Sequence, residues 1–351
     1  MRRASGVFDI SYIQDMTIFR TKYYSAGMVI LILFFLILPV FGSEFWLTFI
    51  NSTAVTVIAL QGLNILTGYC GQISIGHTAF MAVGAYSSTI LAAQFGLPFW
   101  LCLPCGGLAA GLAGILFGLP SLRVKGYYLA LTTIAAQYLI IYMIKTPFPE
   151  ITGGAIALNV PEVKLGSFVL STETHFYYFI FIMLAVMTFF AKSLMRSHFG
   201  RAFVAIRDND IASEAMGINL YKGKLLAFFI GCFYAGIAGA IWADYVRVIS
   251  PDDFTLTSSI WQIGMLIIGG LGSTLGPFFG AIFIGALRES CVICGPWITS
   301  IIPALGAQIS ASLVEMSFGV AVILFLVFEP RGIGHRWEIL KESYRLWPFS
   351  Y

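Results

Sequence analysis

The sequence predicts an all-α fold, a polytopic bundle of about ten transmembrane helices with both ends of the chain on the cytoplasmic side. Three observations predict it. Of 351 residues, 58% are hydrophobic and only 11% are charged, against roughly 25% charged in a soluble domain. One water-facing core could not hide that much apolar surface, whereas a bilayer accepts it on the outside. The apolar residues gather into runs long enough for a helix to cross the hydrocarbon, about 20 residues each. The scarce basic residues gather in intervals that fall on one side of the membrane, and the intervals assigned to the other side are poorer in them, the pattern of cytoplasmic loops.

The runs, in order, are 25–42, 46–66, 77–96, 98–119, 127–145, 175–191, 225–246, 258–272, 275–289 and 311–328. A further apolar segment, 291–306, holds Gly295, Pro296, Pro303 and Gly306 and reads as a re-entrant stretch or a surface helix, which brackets the count at about eight to eleven. Arg2 and Arg3 are followed by no apolar run until Ser25 and by no small-residue cleavage site. Met28–Val40 therefore reads as the first permanent span, not a removable signal. Arg2, Arg3, Arg20 and Lys22 place the N-terminus inside; Arg123 and Lys125, the loop 192–224, and the tail with Arg331, Arg336, Lys341 and Arg345 then fall inside as well. The segments 146–174 and 247–257 are acid-rich and fall outside. The expected organisation is a cytoplasmic segment 1–24, one membrane domain 25–330 and a cytoplasmic tail 331–351. Five spans precede the outer 146–174 loop and five follow it, an odd number per half, which would give two halves of opposite topology.

The loop 192–224 is the most informative polar segment. It carries nine charges, and at ~3 kcal/mol each their burial in lipid would cost on the order of 27 kcal/mol. Phe203, Ile206 and Ile211 recur at helical intervals. Asp210 is placed to cap a second helix and Gly217 to end it. Two short helices near 201–207 and 211–216, lying at the membrane surface, are expected. They serve either to dock a cytoplasmic partner or simply as a solvated face.

The segment Gly68-Tyr69-Cys70-Gly71-Gln72-Ile73-Ser74-Ile75-Gly76-His77 breaks the helical pattern with three glycines, among them Gly71 and Gly76. Irregular backbone at membrane depth is tolerated where it lines a cavity or is buried in protein, so Gln72, Ser74 and His77 are candidates to line a solute path; the plainer reading is a cytoplasmic turn. Gly269, Gly270 and Gly272, with Gly276, Gly280 and Gly285, suit helix breaks and close packing. Cys102/Cys105 and Cys291/Cys294 form two C-x-x-C pairs. Redox or metal chemistry would need thiolates, which nothing basic nearby favours, and buried structural cysteines are the commoner reading. The four histidines are scattered, no phosphate-binding G-x-x-x-x-G-K-[ST] loop occurs, and a net charge of +3 offers no basic face for nucleic acid. Catalytic and metal sites are therefore not expected.

Together the motifs resemble a known family. GYCGQISIGHTAF at 68–80, TGG at 152–154, FGRAFVAIRDNDIASEAMGIN at 199–219, SPDDF at 250–254, SSIWQIGMLIIGGLGSTLGP at 258–277 and FEPRG at 328–332 occur in order. They resemble the permease subunits of branched-chain amino-acid ABC importers, of the M-type (LivM-like), over about 61–332. The resemblance implies an ATP-driven importer working by alternating access in a bacterial or archaeal inner membrane. Its solutes would be branched-chain or other hydrophobic amino acids, or urea or short amides as in related members. The implied partners are a second homologous permease subunit, two cytoplasmic ATPase subunits and a periplasmic solute-binding protein. ATP and Mg would be bound by the ATPases, and no cofactor by this chain. It also implies that 199–219 is the coupling loop resting on an ATPase, with Arg201, Ile206, Arg207, Asp208, Asp210, Glu214, Ala215 and Gly217 as its residues. The C-x-x-C pairs are no part of the pattern and leave a membrane thiol oxidoreductase as the reading from another class.

Overall fold

The computed structural model describes residues 35–36, 38–39, 42–121, 127–147, 149–165, 168–170, 172–301 and 309–346. The expected first span 25–42 and the turn with Arg123 and Lys125 lie almost wholly or wholly outside them. So do the segment 1–24 and the last residues of the tail.

Every other expected run falls on a helix. Helix α1 (Glu44–Leu63) runs on into a π-helical turn, Asn64–Tyr69. After a break come α2 (His77–Phe95), α3 (Phe99–Ser121), α4 (Tyr127–Lys145) and the single turn α5 (Pro149–Thr152). The second half holds α6 (Glu173–Arg196), α7 (His198–Asp208), α8 (Asp210–Ala215), α9 (Leu220–Val246) and α10 (Leu256–Gly269). It ends with α11 (Gly276–Ile301), α12 (Ile309–Phe328) and α13 (Gly332–Leu346). Among the described residues six helices are long and apolar enough to cross a membrane unaided: α1 with its π turn, α3, α4, α6, α9 and α11. A seventh results if α12 and α13, bent by 46°, count as one. Helix α10 falls short of the expected full span because its 14 residues reach only about 21 Å at 1.5 Å per residue. In α2, threonine, serine and tyrosine dilute the apolar character. The segment 291–306 is no separate re-entrant element as far as Ile301: α11 continues through Gly295 and Pro296, and 302–308 lie outside the described residues.

Helix α9 is the axle of the bundle, with α1, α2 and α3 packed around it. Its glycines set the distances. A Cβ on Gly239 would lie 2.0 Å from the Met81 carbonyl oxygen, and one on Gly84 2.2 Å from that of Gly236. Lipid supplies no hydrophobic drive between helices, so backbone-to-backbone packing of this kind holds them together. Helices α10 and α11 form a second such contact through Gly269, Gly276 and Gly280.

Side-chain bonds orient the spans. Asn51 Nδ2 donates to Glu173 Oε2 at 3.1 Å and Gln61 Nε2 to Thr188 Oγ1 at 2.6 Å, so α1 and α6 run parallel. The Tyr245 hydroxyl donates to Glu173 at 2.8 Å, bringing the end of α9 to the start of α6. On this face two short ladders form. β1 (Leu158–Asn159) pairs antiparallel with β4 (Val248–Ile249), Leu158 opposite Ile249. β2 (Lys164–Leu165) pairs with β3 (Phe168–Val169). An ion pair, Lys145–Asp252 at 2.7 Å, adds a further tie. Arg247 caps α9 with a left-handed φ of 67°. Its guanidinium bonds the Leu170 carbonyl and lies 5.4 Å from the Phe176 ring centroid, which offsets the strain.

The opposite face carries α7, α8 and the turn between α10 and α11. The expected tail is helical over Gly332–Leu346: α13 folds back on α10 and α11, with Trp337 5.9 Å from Phe279 and Gly332 against Gly270.

Candidate functional site

The polar loop forms the two helices expected of it. Ser197 caps α7, accepting from Phe199 N. The cap of α8 is Asn209, whose side chain accepts from Ala212 N at 3.0 Å. It is not Asp210, which opens the helix one position later and lies 3.8 Å from Lys224. Gly217 ends α8 with φ +85°, and Ile218 N donates to Ser213 O at 3.0 Å, the six-to-one closure of a Schellman turn. Phe203 and Ile206 are buried against the bundle, but Ile211 is not part of that face: it is 76% exposed, and Met216 beyond it 84% exposed. Both follow the Asn209 cap, which turns α8 away from the face α7 presents. Arg201, Glu214 and Ala215 are exposed beside them.

Arg207 faces the bundle. Its Nη1 donates to the Gly68 carbonyl at 3.0 Å, and its Nε donates to Asp208 Oδ1 at 3.0 Å. The π turn makes Gly68 O available, since Cys70 N bonds back to Ile65 and Gln72 N to Leu66. Asn64, in the same turn, donates to Ser273 O at 2.8 Å and accepts from Gly272 N at 2.9 Å. Gly71 (φ +73°) and Gly272 (φ +72°) both lie against the Arg207 side chain, each Cβ position 2.9 Å from it. Burial pushes the Cys70 thiol here up to about 12.

Beyond this turn the chain goes inward. Gln72, Ser74 and His77 are 3%, 0% and 0% exposed, so none of them sits in a solvated cytoplasmic turn or lines an open path in this conformation. Gly76 lies against the Thr133 carbonyl, and His77 Nε2 is 3.1 Å from Ala59 O. There the starts of α2 and α10 meet. Thr78 N donates to Ser259 Oγ at 3.1 Å, and Thr78 Oγ1 donates to Thr255 O at 2.9 Å. Gln137 of α4 closes the knot: its Oε1 accepts from Ala79 N at 3.0 Å and its Nε2 donates to Phe254 O at 2.7 Å. Asn64 and Gln137 were readable as polar residues inside apolar runs, which mark function or interhelical bonds; Asn209, Thr78 and Ser259 carried no such signal.

The glycines Gly269, Gly270 (φ +112°) and Gly272 sit where α10 ends and turns. Cys102, Cys105, Cys291 and Cys294 are free thiols. Among the described residues no group of three or more His, Cys, Asp or Glu side chains is placed to hold a metal ion. The thiol oxidoreductase reading gains no support.

Comparison with known proteins follows the same line. The family model described as branched-chain amino acid transport system / permease component matches residues 45–328. The high-affinity branched-chain amino acid transport system permease protein LivM of Salmonella typhimurium is 31% identical over 261 residues. That alignment covers 68% of this chain and 61% of the Salmonella protein; LivM of Escherichia coli gives the same figures. The permease protein LivH of Salmonella typhimurium is 23% identical over 297 residues, covering 80% of this chain and 91% of LivH. The chain thus spans about three fifths of the length of the LivM relatives it matches. No solved structure matches it.

Proposed function

The chain belongs to the branched-chain amino acid transport system permease family, and from that premise we propose that it is a membrane-spanning subunit of an ATP-driven ABC importer of branched-chain amino acids. The importer would sit in the inner membrane with a second, homologous permease, two cytoplasmic ATPase subunits that bind ATP and Mg, and a periplasmic solute-binding protein. The observation that carries the reading is the α7–α8 pair. It is anchored through Phe203, Ile206 and Arg207 and leaves Ile211, Glu214 and Met216 standing out. Two large apolar side chains exposed on a charged, structured cytoplasmic loop are what an ATPase groove would bury.

The domain 25–330 spans the membrane ten times in this proposal, with both termini inside. Helices α2 and α10, which do not cross unaided, then cross together with the breaks before them and occupy matching places in the two halves of an inverted repeat, since α1–break–α2 and α9–break–α10 follow the same order in opposite directions. Discontinuous helices meeting within the bundle are the usual site of solute passage in inverted-repeat transporters. This supports a path beside Gln72, Ser74 and His77, opened as the α2–α10 junction moves in alternating access.

Replacing Ile211 and Met216 together with aspartate tests the docking. Neither side chain supports the fold, so thermal stability should stay within about 0.5 kcal/mol. Co-purification of the ATPase subunits should fall about tenfold or more, and leucine uptake with it. Unchanged co-purification and uptake would remove the docking role. In the parent importer, leucine uptake should be competed by isoleucine and valine and not by urea; the reverse would assign the chain to amide transport.

A further inference from the structure

We propose that Arg207 is a positioning residue through which α7 acts on both halves of the bundle at once, a role distinct from contact with the ATPase. The inference rests on the coupling-loop reading above. Although α7 and α8 lie on the surface, the Arg207 side chain, 37% exposed, is directed into the protein. Its Nη1 holds the Gly68 carbonyl at the π turn of α1. Its Nε and Nη2 hold Asp208 Oδ1 at 3.0 and 2.9 Å, on the same helix. The guanidinium thus ties α7 to α1 from a side chain already fixed at its other edge. Two glycines make room for it, one in each half: Gly71 beside α1 and Gly272 at the end of α10. Those two turns are themselves joined, since Asn64 bonds both Gly272 N and Ser273 O. A shift of α7 therefore moves the π turn that leads into the break before α2, and the turn that ends α10, as one piece. From these two turns the break before α2 and the helix α10 lead to a common point, the Thr78–Ser259 contact.

The geometry calls for a fork. Lysine keeps the charge but is a point donor, and cannot span Asp208 and Gly68 O in the same way. The π turn matters equally, because π segments displace backbone carbonyls from their regular partners.

The test uses the assembled importer, with the chain carrying Arg207→Lys, Arg207→Gln or Asp208→Asn, and leucine as solute. The expected result for both Arg207 variants has three parts. The ATPase subunits co-purify in the parental ratio, the leucine moved per ATP hydrolysed falls about fivefold or more, and amide exchange quickens at 68–72 and 270–273. Asp208→Asn keeps the reach to Gly68 and retains more coupling than either. Parental leucine-to-ATP stoichiometry in both Arg207 variants would overturn the proposal. So would loss of the ATPase subunits from the complex, because Arg207 would then be a docking residue. Parental exchange at both turns would likewise show that no clasp exists. If the unsubstituted permease binds no ATPase subunits, the coupling-loop reading fails instead, and the exchange measurement still decides whether the clasp holds.

Discussion

Gly239→Leu is expected to leave no folded permease in the membrane. At this point α9 crosses α2 so closely that even a methyl group would sit 2.0 Å from the Met81 carbonyl oxygen and 2.7 Å from its carbon. Overpacking costs about 1–3 kcal/mol where neighbouring side chains can move aside. Here the obstacle is backbone within a helix, so the two helices must separate. The loss spreads to the rest of the stripe, because Gly236 packs on Ala110 and Gly106 of α3 and Gly84 packs on Gly236. Gly319→Leu is the control: a Cβ there meets nothing within 4 Å. Size-exclusion profiles of the two variants in detergent should show aggregate for the first and a single symmetrical peak for the second. A symmetrical peak for both would mean that the α2–α9 contact does not hold the bundle.

Gln137→Leu is expected to cost about 2–6 kcal/mol and to abolish uptake. The side chain satisfies two backbone groups at once, Ala79 N–H and Phe254 C=O. Each orphaned, buried backbone group costs about 1–3 kcal/mol, and neither has water within a closed bundle to replace the lost partner. The substitution also frees the start of α2 from the segment leading into α10. Ser259→Ala removes one acceptor, that of Thr78 N, and should cost about half as much. Thermal unfolding in detergent together with leucine uptake measures both. A Gln137→Leu permease as stable as its parent would show that the starts of α2 and α10 are held together by packing alone.

The sequence made the long elements legible because lipid imposes one rule on them, an apolar run of fixed length. It also made the surface helices of 198–215 legible, since nine charges cannot enter lipid and the Phe203–Ile206 spacing is helical. What it concealed followed from contacts between distant segments. Ile211 continues the period of Phe203 and Ile206 on paper; Asn209 resets the chain at its cap, and the side chain ends up exposed. Asp210 and Asn209 are equally good caps by residue type, and only the backbone decides between them. Gln72, Ser74 and His77 read as part of a turn because their segment is polar and glycine-rich, yet the structure buries all three, with His77 on Ala59 and the neighbouring Gly76 on Thr133. The π turn has no signature in NILTGY at all. Asn64 and Gln137 gave the clearest overlooked signal, an amide side chain inside an apolar run, as Asn51 and Gln61 also are.

The glycine-lined axle also has a genetic consequence. Every glycine codon begins with two guanines, and a change in either one substitutes a residue with a side chain or ends the chain. At Gly84, Gly236 and Gly239 there is room for none of these replacements. Missense variants that inactivate the protein should therefore concentrate in codons of α9 and of the faces opposed to it. Gly319, where a side chain would meet nothing, should tolerate other small and apolar residues.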